Sequence, residues 1–337
     1  MPSTRLILGL TATTAAAAAP VKVFIMMGQS NMLGEGNVSP VTKNGTLEFA
    51  VEQGKYPYLG KGEGAWTYSK NVRNVFTMGS GGPNAGIKMQ HNDWMGVNTT
   101  IKSQIGPELG IGFAFDGAKF GDVMCLKTCI GDRALGWDLL PPGSPGFDYT
   151  DSKGAEWTYA GYHQSPARWA KGTTPKPIGW EAGIQYDGDI GRANYVLGNL
   201  TTYYPGATGY EVAGFFWWQG DRDSRDMALA GRYEQNLVKL IKTLRTQFKA
   251  PSAPFVTASL GQTAKGATDG GGLILDAMLA VDGTSGKYPE FKGNVAAVYT
   301  HPLMVTPSSS GSHYSRDART YMNVGEAMGA AMVKMMA

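Results

Sequence analysis

A serine set just beyond an apolar run and a glycine can stand at the tip of a buried strand. In Val21-Lys-Val-Phe-Ile-Met-Met-Gly28 the run ends at the glycine, and Ser30 follows two residues later. A sharp strand-to-helix turn there lifts the hydroxyl above a sheet. The next backbone N–H groups then face a developing oxyanion, as helix starts face anions. The ordinary alternative is a helix cap, a position serine often takes.

A neutral hydroxyl is a weak nucleophile and needs an imidazole base. The chain offers His91, His163, His301 and His313. His301 directly follows an apolar run and rivals His313 as the base, while His91 and His163 fall in long polar stretches and could meet substrate or solvent. The scattered spacing of the four makes no metal motif. A base histidine needs a carboxylate on its other nitrogen. Asp221, Asp223 and Asp317 are candidates by position, with Asp132 behind them. Asp317 could instead pair with Arg316 or Arg319, and Asp223 could cap the segment that follows it.

The elements that must position these groups read as an alternation of strands and helices. Five apolar runs are predicted strands: Val21 to Met27, Val123 to Ile130, Val212 to Trp218, Phe255 to Leu260 and Val295 to Tyr299. Helices are predicted between them. Pro107 starts one whose inner face holds Leu109, Phe113 and Ala114, and another runs from Ile184 to Leu200. The clearest carries Tyr233, Leu237, Leu240, Ile241, Leu244 and Phe248 on one face. Gly272 to Val281 and Tyr321 to Met336 complete the set. Two long Gly- and aromatic-rich insertions, at about 34–93 and 140–177, read as loops, the first with room for a hairpin. This pattern predicts one α/β domain with a five-stranded parallel sheet covered on both faces, and a site beyond the C-terminal strand ends.

Composition sets the bounds. The chain has 337 residues, 42% hydrophobic and 17% charged, which places it with folded globular proteins. A net charge of +3 with no basic stripe argues against nucleic-acid binding. Residues 1–19 carry Arg5, a short apolar stretch and an Ala-rich end, the pattern of a cleaved secretory leader. Secretion or a periplasmic location is therefore expected, with no membrane span. Cys125 and Cys129 on one strand would lie about 13 Å apart, too far for a disulfide, so free buried thiols are expected.

Several blocks together resemble a known group. Gly28-Gln-Ser-Asn-Met32, Gly106-Pro-Glu-Leu109, Lys127-Thr-Cys-Ile-Gly131, Trp217-Trp-Gln-Gly-Asp221 and His313-Tyr314 followed by Gly325 resemble, in order, SGNH-type carbohydrate esterases of the sialate O-acetylesterase and acetylxylan esterase branch. The resemblance implies a flavodoxin-like three-layer sandwich that removes O-acetyl groups from sugars without metal or cofactor. It implies Ser30 as nucleophile and His313 as base, with an oxyanion hole from the N–H groups of Ser30 and Gly131 and the side-chain amide of Gln219. On that reading Gln219→Ala should slow catalysis by about 3 to 4 kcal/mol without unfolding the chain.

Two positions depart from the group. Ser310 stands where the family carries its acid, which shifts the expected triad acid to Asp221. A Ser-His dyad held by a backbone carbonyl is the alternative. Asp132 and Arg133 replace a glycine and a small hydroxyl residue. Arg133 could grip an anionic substrate group or neutralise Asp132. Trp218 and Asn31 are the other expected substrate contacts, though either Trp217 or Trp218 could be pure core. The rival functions are an esterase or lipase for another acyl ester, and a catalytically silent carbohydrate-binding protein on the same scaffold.

Overall fold

The computed structural model describes residues 19–60, 66–97, 103–305 and 312–337. The leader, apart from Ala19, and Ser310 lie outside the described residues. Seven strands make the main sheet: β1 (Val21–Gly28), β2 (Val72–Met78), β3 (Lys88–Trp94), β4 (Val123–Thr128), β5 (Tyr210–Trp218), β6 (Phe255–Ala258) and β7 (Val295–Val298). Their order is β7-β6-β5-β1-β4-β2-β3. Every neighbouring pair is parallel except β2 with β3.

All five expected strands are present, but the count of five is corrected to seven. The two additions are a hairpin within the first insertion. Strand β2 escapes a search for apolar runs because it buries Arg73, Asn74 and Thr77 among its apolar residues. Strand β3 is a polar edge, Lys88-Met-Gln-His-Asn-Asp-Trp94, with a half-exposed burial pattern. Edge strands commonly carry such charge, which discourages pairing with other chains. The second insertion is likewise structured, as a three-stranded antiparallel sheet over Phe147–Thr150, Glu156–Tyr159 and Arg168–Ala170.

Side chains alternate across β1, so each face of the sheet faces its own core. Val23, Ile25 and Met27 join one cluster with the helices α3 (Ile184–Gly198), α5 (Met227–Gln247) and α6 (Gly270–Val281). Phe24 and Met26 join the other, with α2 (Glu108–Gly117) and α7 (Ala318–Met336). Two short helices, α1 (Ser30–Leu33) and α4 (Asp221–Ser224), follow β1 and β5.

Helix α5 buries Tyr233, Leu237, Leu240, Ile241 and Leu244, the stripe read from the sequence, and Asp226 caps its start by accepting from the N–H of Ala228. In α2 the buried face is Leu109, Ile111 and Phe115, with Phe113 and Ala114 only half-buried. The helix is pressed against α7 at glycines, which sets that face: a Cβ at Gly325 would lie 2.3 Å from the Pro107 carbonyl oxygen. Cys125 and Cys129 are free and buried, as expected. Among the described residues no helix is long and apolar enough to cross a membrane.

Candidate active site

Strands β1 and β5 end level with each other, Gly28 opposite Trp218. The two backbones approach so closely that a Cβ on Gly28 would sit 2.3 Å from the Trp218 carbonyl oxygen. Glycine is required there, and its φ of +149° turns the chain toward α1. Ser30 opens α1 with 8% of its surface exposed. From the end of β4, Gly131 approaches it: a Cβ on Gly131 would stand 3.7 Å from the Ser30 Cβ. Among the described residues, the N–H groups of Ser30 and Gly131 make no hydrogen bond. Two free donors therefore flank the serine at the sheet edge.

The C-terminal segment reaches this edge through Tyr314. Its hydroxyl accepts from Asn31 Nδ2 at 2.8 Å and from the N–H of Gly261 at 3.3 Å, and its ring stacks on Trp218 with centroids 5.8 Å apart. The neighbour of the serine is thus bonded to the neighbour of the histidine, across 283 positions of chain. His313, Tyr314, Ser315 and Arg316 all adopt φ between +53° and +59°. Left-handed backbone costs roughly 1–2 kcal/mol for each non-glycine residue, and such strain persists where packing over-determines it. Tyr314, wedged against Trp218 and held by two hydrogen bonds, is the anchor.

His313 is part-exposed, and its Nδ1 lies 3.3 Å from Glu35 Oε2. Arg316 Nε reaches the same carboxylate oxygen at 3.4 Å. Among the described residues, Nε2 makes no hydrogen bond. Among the described residues, no hydrogen bond joins Ser30 Oγ to His313. A cavity of about 500 Å³ opens beside Glu35, lined by Leu33, Gly34, Lys88, Gln90 and Arg316 among others.

The other expected site residues take different places. Asp221 pairs with Arg225 and meets Gln262 Nε2 at 3.4 Å, so the carboxylate beside His313 is Glu35. Asp317 caps α7 and binds Arg319, the bland role weighed above. Asp223 is fully buried and accepts from the N–H groups of Leu135 and Gly136, both at 2.8 Å, and from Gln219 Nε2 at 2.6 Å. Burial pushes its carboxyl up to about 6. His301 gives Nδ1 to the Gly261 carbonyl at 2.8 Å. His163 faces Asp187 at the surface, and His91 sits on the edge strand β3 with its pKa lowered by burial.

Four residues expected to meet the reaction or the substrate already have partners within the protein. Gln219 Nε2 carries two hydrogens yet already has three acceptors: Gln29 Oε1 at 3.1 Å, Arg133 O at 2.8 Å and Asp223 Oδ2 at 2.6 Å. It braces three loops from a fully buried position and is not turned toward an oxyanion. Gln219→Ala should therefore lower stability by about 1–3 kcal/mol, because buried acceptors lose their donor. Urea unfolding measures this, and an unchanged midpoint would refute the bracing role.

Trp218 is completely buried and donates Nε1–H to the Ser259 carbonyl. It backs Tyr314 from below and touches no open space. Trp217 lies in the opposite core, so both indoles are interior. Arg133 is spent on protein acceptors, Ser80 Oγ at 2.9 Å, Gln185 Oε1 at 3.4 Å and the carbonyls of Gly131 and Asp132. It does not neutralise Asp132, whose carboxylate faces Arg222 and Arg225 instead. Asn31 is likewise committed, through Nδ2, to Tyr314.

Among the described residues, no group of three or more His, Cys, Asp or Glu side chains is placed to hold a metal ion. The serine, the free N–H pair and the imidazole beside a carboxylate lie on segments joined by the Asn31–Tyr314 bond.

Residues 167–334 match the family model for carbohydrate esterases described as sialic acid-specific acetylesterases. That segment, just under half of the chain, is similar to this family. The esterase segment takes in Gln219, Asp221 and His313. Ser30 and Gly131 come from outside it and are brought to the same sheet edge by β1 and β4.

No curated protein matches the chain. Solved structures that resemble it include the following three. One is a protein from Arabidopsis thaliana, 17% identical over 92% of this chain and 98% of its own, with a TM-score of 0.47. Another is a carbohydrate acetylesterase from Xanthomonas citri, 13% identical over 92% of this chain and 55% of its own, with a TM-score of 0.49. The third is NanS, 14% identical over 72% of this chain and 68% of its own, with a TM-score of 0.35. The esterase assignment rests on the family match alone.

Proposed function

We propose that the chain is an exported serine esterase that removes acetyl groups from carbohydrate, with Ser30 as nucleophile, His313 as general base and Glu35 as the carboxylate that orients the histidine. The observation that carries this reading is the Asn31–Tyr314 hydrogen bond, which ties together the segments holding serine and imidazole. The esterase family of residues 167–334 supports the reaction class. The leader pattern of residues 1–19 supports export, and the two-faced sheet with its site at the strand tips fits an SGNH-type sandwich extended by a hairpin.

In the reaction, Ser30 Oγ attacks the acetyl carbonyl carbon while His313 Nε2 takes its proton. The N–H groups of Ser30 and Gly131 hold the oxyanion. The imidazolium, steadied by Glu35, passes the proton to the sugar oxygen as the C–O bond breaks. Water, deprotonated by the same nitrogen, then attacks the acyl-enzyme and frees acetate. The cavity lined by Glu35 and Arg316 gives the acetylated sugar room beside the carboxylate.

An organophosphonate probe tests the assignment. One adduct is expected, on the peptide containing Ser30, with protection by an acetylated oligosaccharide. Labelling at another serine, or none, would overturn the nucleophile.

A further inference from the structure

A second groove opens beside the short helix α4. Its volume is about 230 Å³, and Trp137, Tyr159, Arg168, Arg222, Arg225 and Asp226 line most of it. It lies between the antiparallel insert and the start of α5. Pockets for drug-sized ligands begin at roughly 300 Å³, so this one suits a single sugar ring.

The groove is physically joined to the serine turn. The backbone N–H of Arg222 donates to Gln29 Oε1 at 3.2 Å, and Gln29 immediately precedes Ser30. Ala134, also in the lining, follows Arg133, whose carbonyl accepts from Gln219. One wall of the groove is therefore tied to the segment that carries Ser30.

Its lining holds three guanidinium groups against one carboxylate. Two of them are committed. Arg168 donates to Tyr159 Oη at 2.7 Å and to Asp226 at 3.3 Å, and lies over the Trp157 ring. Arg225 is bonded to Asp221. Arg222 is different. Among the described residues its guanidinium makes no hydrogen bond, its nearest carboxylate oxygen, on Asp132, is 3.8 Å away, and its side chain is 48% exposed. An open guanidinium fork beside an indole offers two-point bonding to an oxyanion and a flat apolar face for a sugar ring.

We infer that this groove binds an acidic sugar unit, carrying a carboxylate or sulfate, that neighbours the acetylated unit in the glycan. Arg222 takes the anion, the part first expected of Arg133, whose Nε, Nη1 and Nη2 are each bonded to protein acceptors. This inference rests on the carbohydrate reading above, but its test does not need catalysis.

Calorimetric titration of the full chain with xylotetraose, with xylotetraose bearing one uronate branch and with sulfated xylotetraose reads it directly, none of them acetylated. The wild type should bind at least one acidic ligand about tenfold more tightly than the neutral one, and Arg222→Gln should erase that margin. Arg222→Lys should recover only part of it, since an ammonium lacks the fork. Whichever acidic ligand shows the margin identifies the anion. Equal binding of all three ligands, or an undiminished margin in Arg222→Gln at an unchanged melting temperature, overturns the groove. Failure of the esterase reading would appear separately, as absent labelling of Ser30.

Discussion

Ser30→Ala is expected to lower the rate of acetate release by about 10⁴-fold or more, leaving a residue of catalysis from the oxyanion donors and substrate binding. The loss should be chemical and not structural. Ser30 Oγ has no hydrogen-bond partner among the described residues, so its removal leaves no buried group unsatisfied. His313→Gln should cost a similar factor, and the double variant little more, because nucleophile and base act as one unit. The carboxylates then separate the two candidate acids. Glu35→Gln should slow turnover by about 10³-fold through a mis-set imidazole, whereas Asp221→Asn should change it only a few-fold. Initial rates on an acetylated oligosaccharide, with circular dichroism as a control for folding, decide the matter. A Ser30→Ala enzyme within tenfold of the wild type would end the serine mechanism.

Much of the scaffold was legible because its signals are local. Continuous apolar runs mark β1, β4, β5, β6 and β7, and the stripe from Tyr233 to Leu244 marks α5. The place of Ser30 at a strand tip was legible too, as a serine just past such a run. What escaped depends on contacts between distant segments. The hydrophobic pattern of β2 is broken by Arg73, Asn74 and Thr77, polar groups that only the folded interior makes acceptable. Glu35 in Gly34-Glu-Gly36 has no periodicity or spacing that ties it to His313, and the contact exists because Tyr314 draws the two segments together. Trp218 fits a pocket wall by position, yet its indole N–H is satisfied at Ser259 and its face by Tyr314. Gln219 was expected to stabilise an oxyanion. Its three acceptors come from Gln29, Arg133 and Asp223, and only Asp223 is near it in sequence.

Lys127→Met is expected to lower stability by about 3–5 kcal/mol, the usual result of leaving a buried charge without its partner. Lys127 and Glu108 are both fully buried and lie 2.8 Å apart. The ammonium also donates to the carbonyls of Met32 at 3.3 Å and Leu33 at 2.9 Å, and sits 4.5 Å from the Phe76 ring centre. Glu108 in turn accepts from the N–H of Gly106 at 3.1 Å. These bonds hold the end of α1, the four-residue helix that presents Ser30, to strand β4 and helix α2. A double variant, Lys127→Met with Glu108→Gln, removes both charges and should regain a large part of the lost stability, a non-additive result. It should not regain the rate, because the carbonyls of Met32 and Leu33 still lack their donor and the serine turn is no longer fixed. Urea midpoints measure the first effect and kcat the second. If the double variant recovers stability and rate together, the ion pair only fills the core; if stability alone returns, Lys127 positions the nucleophile.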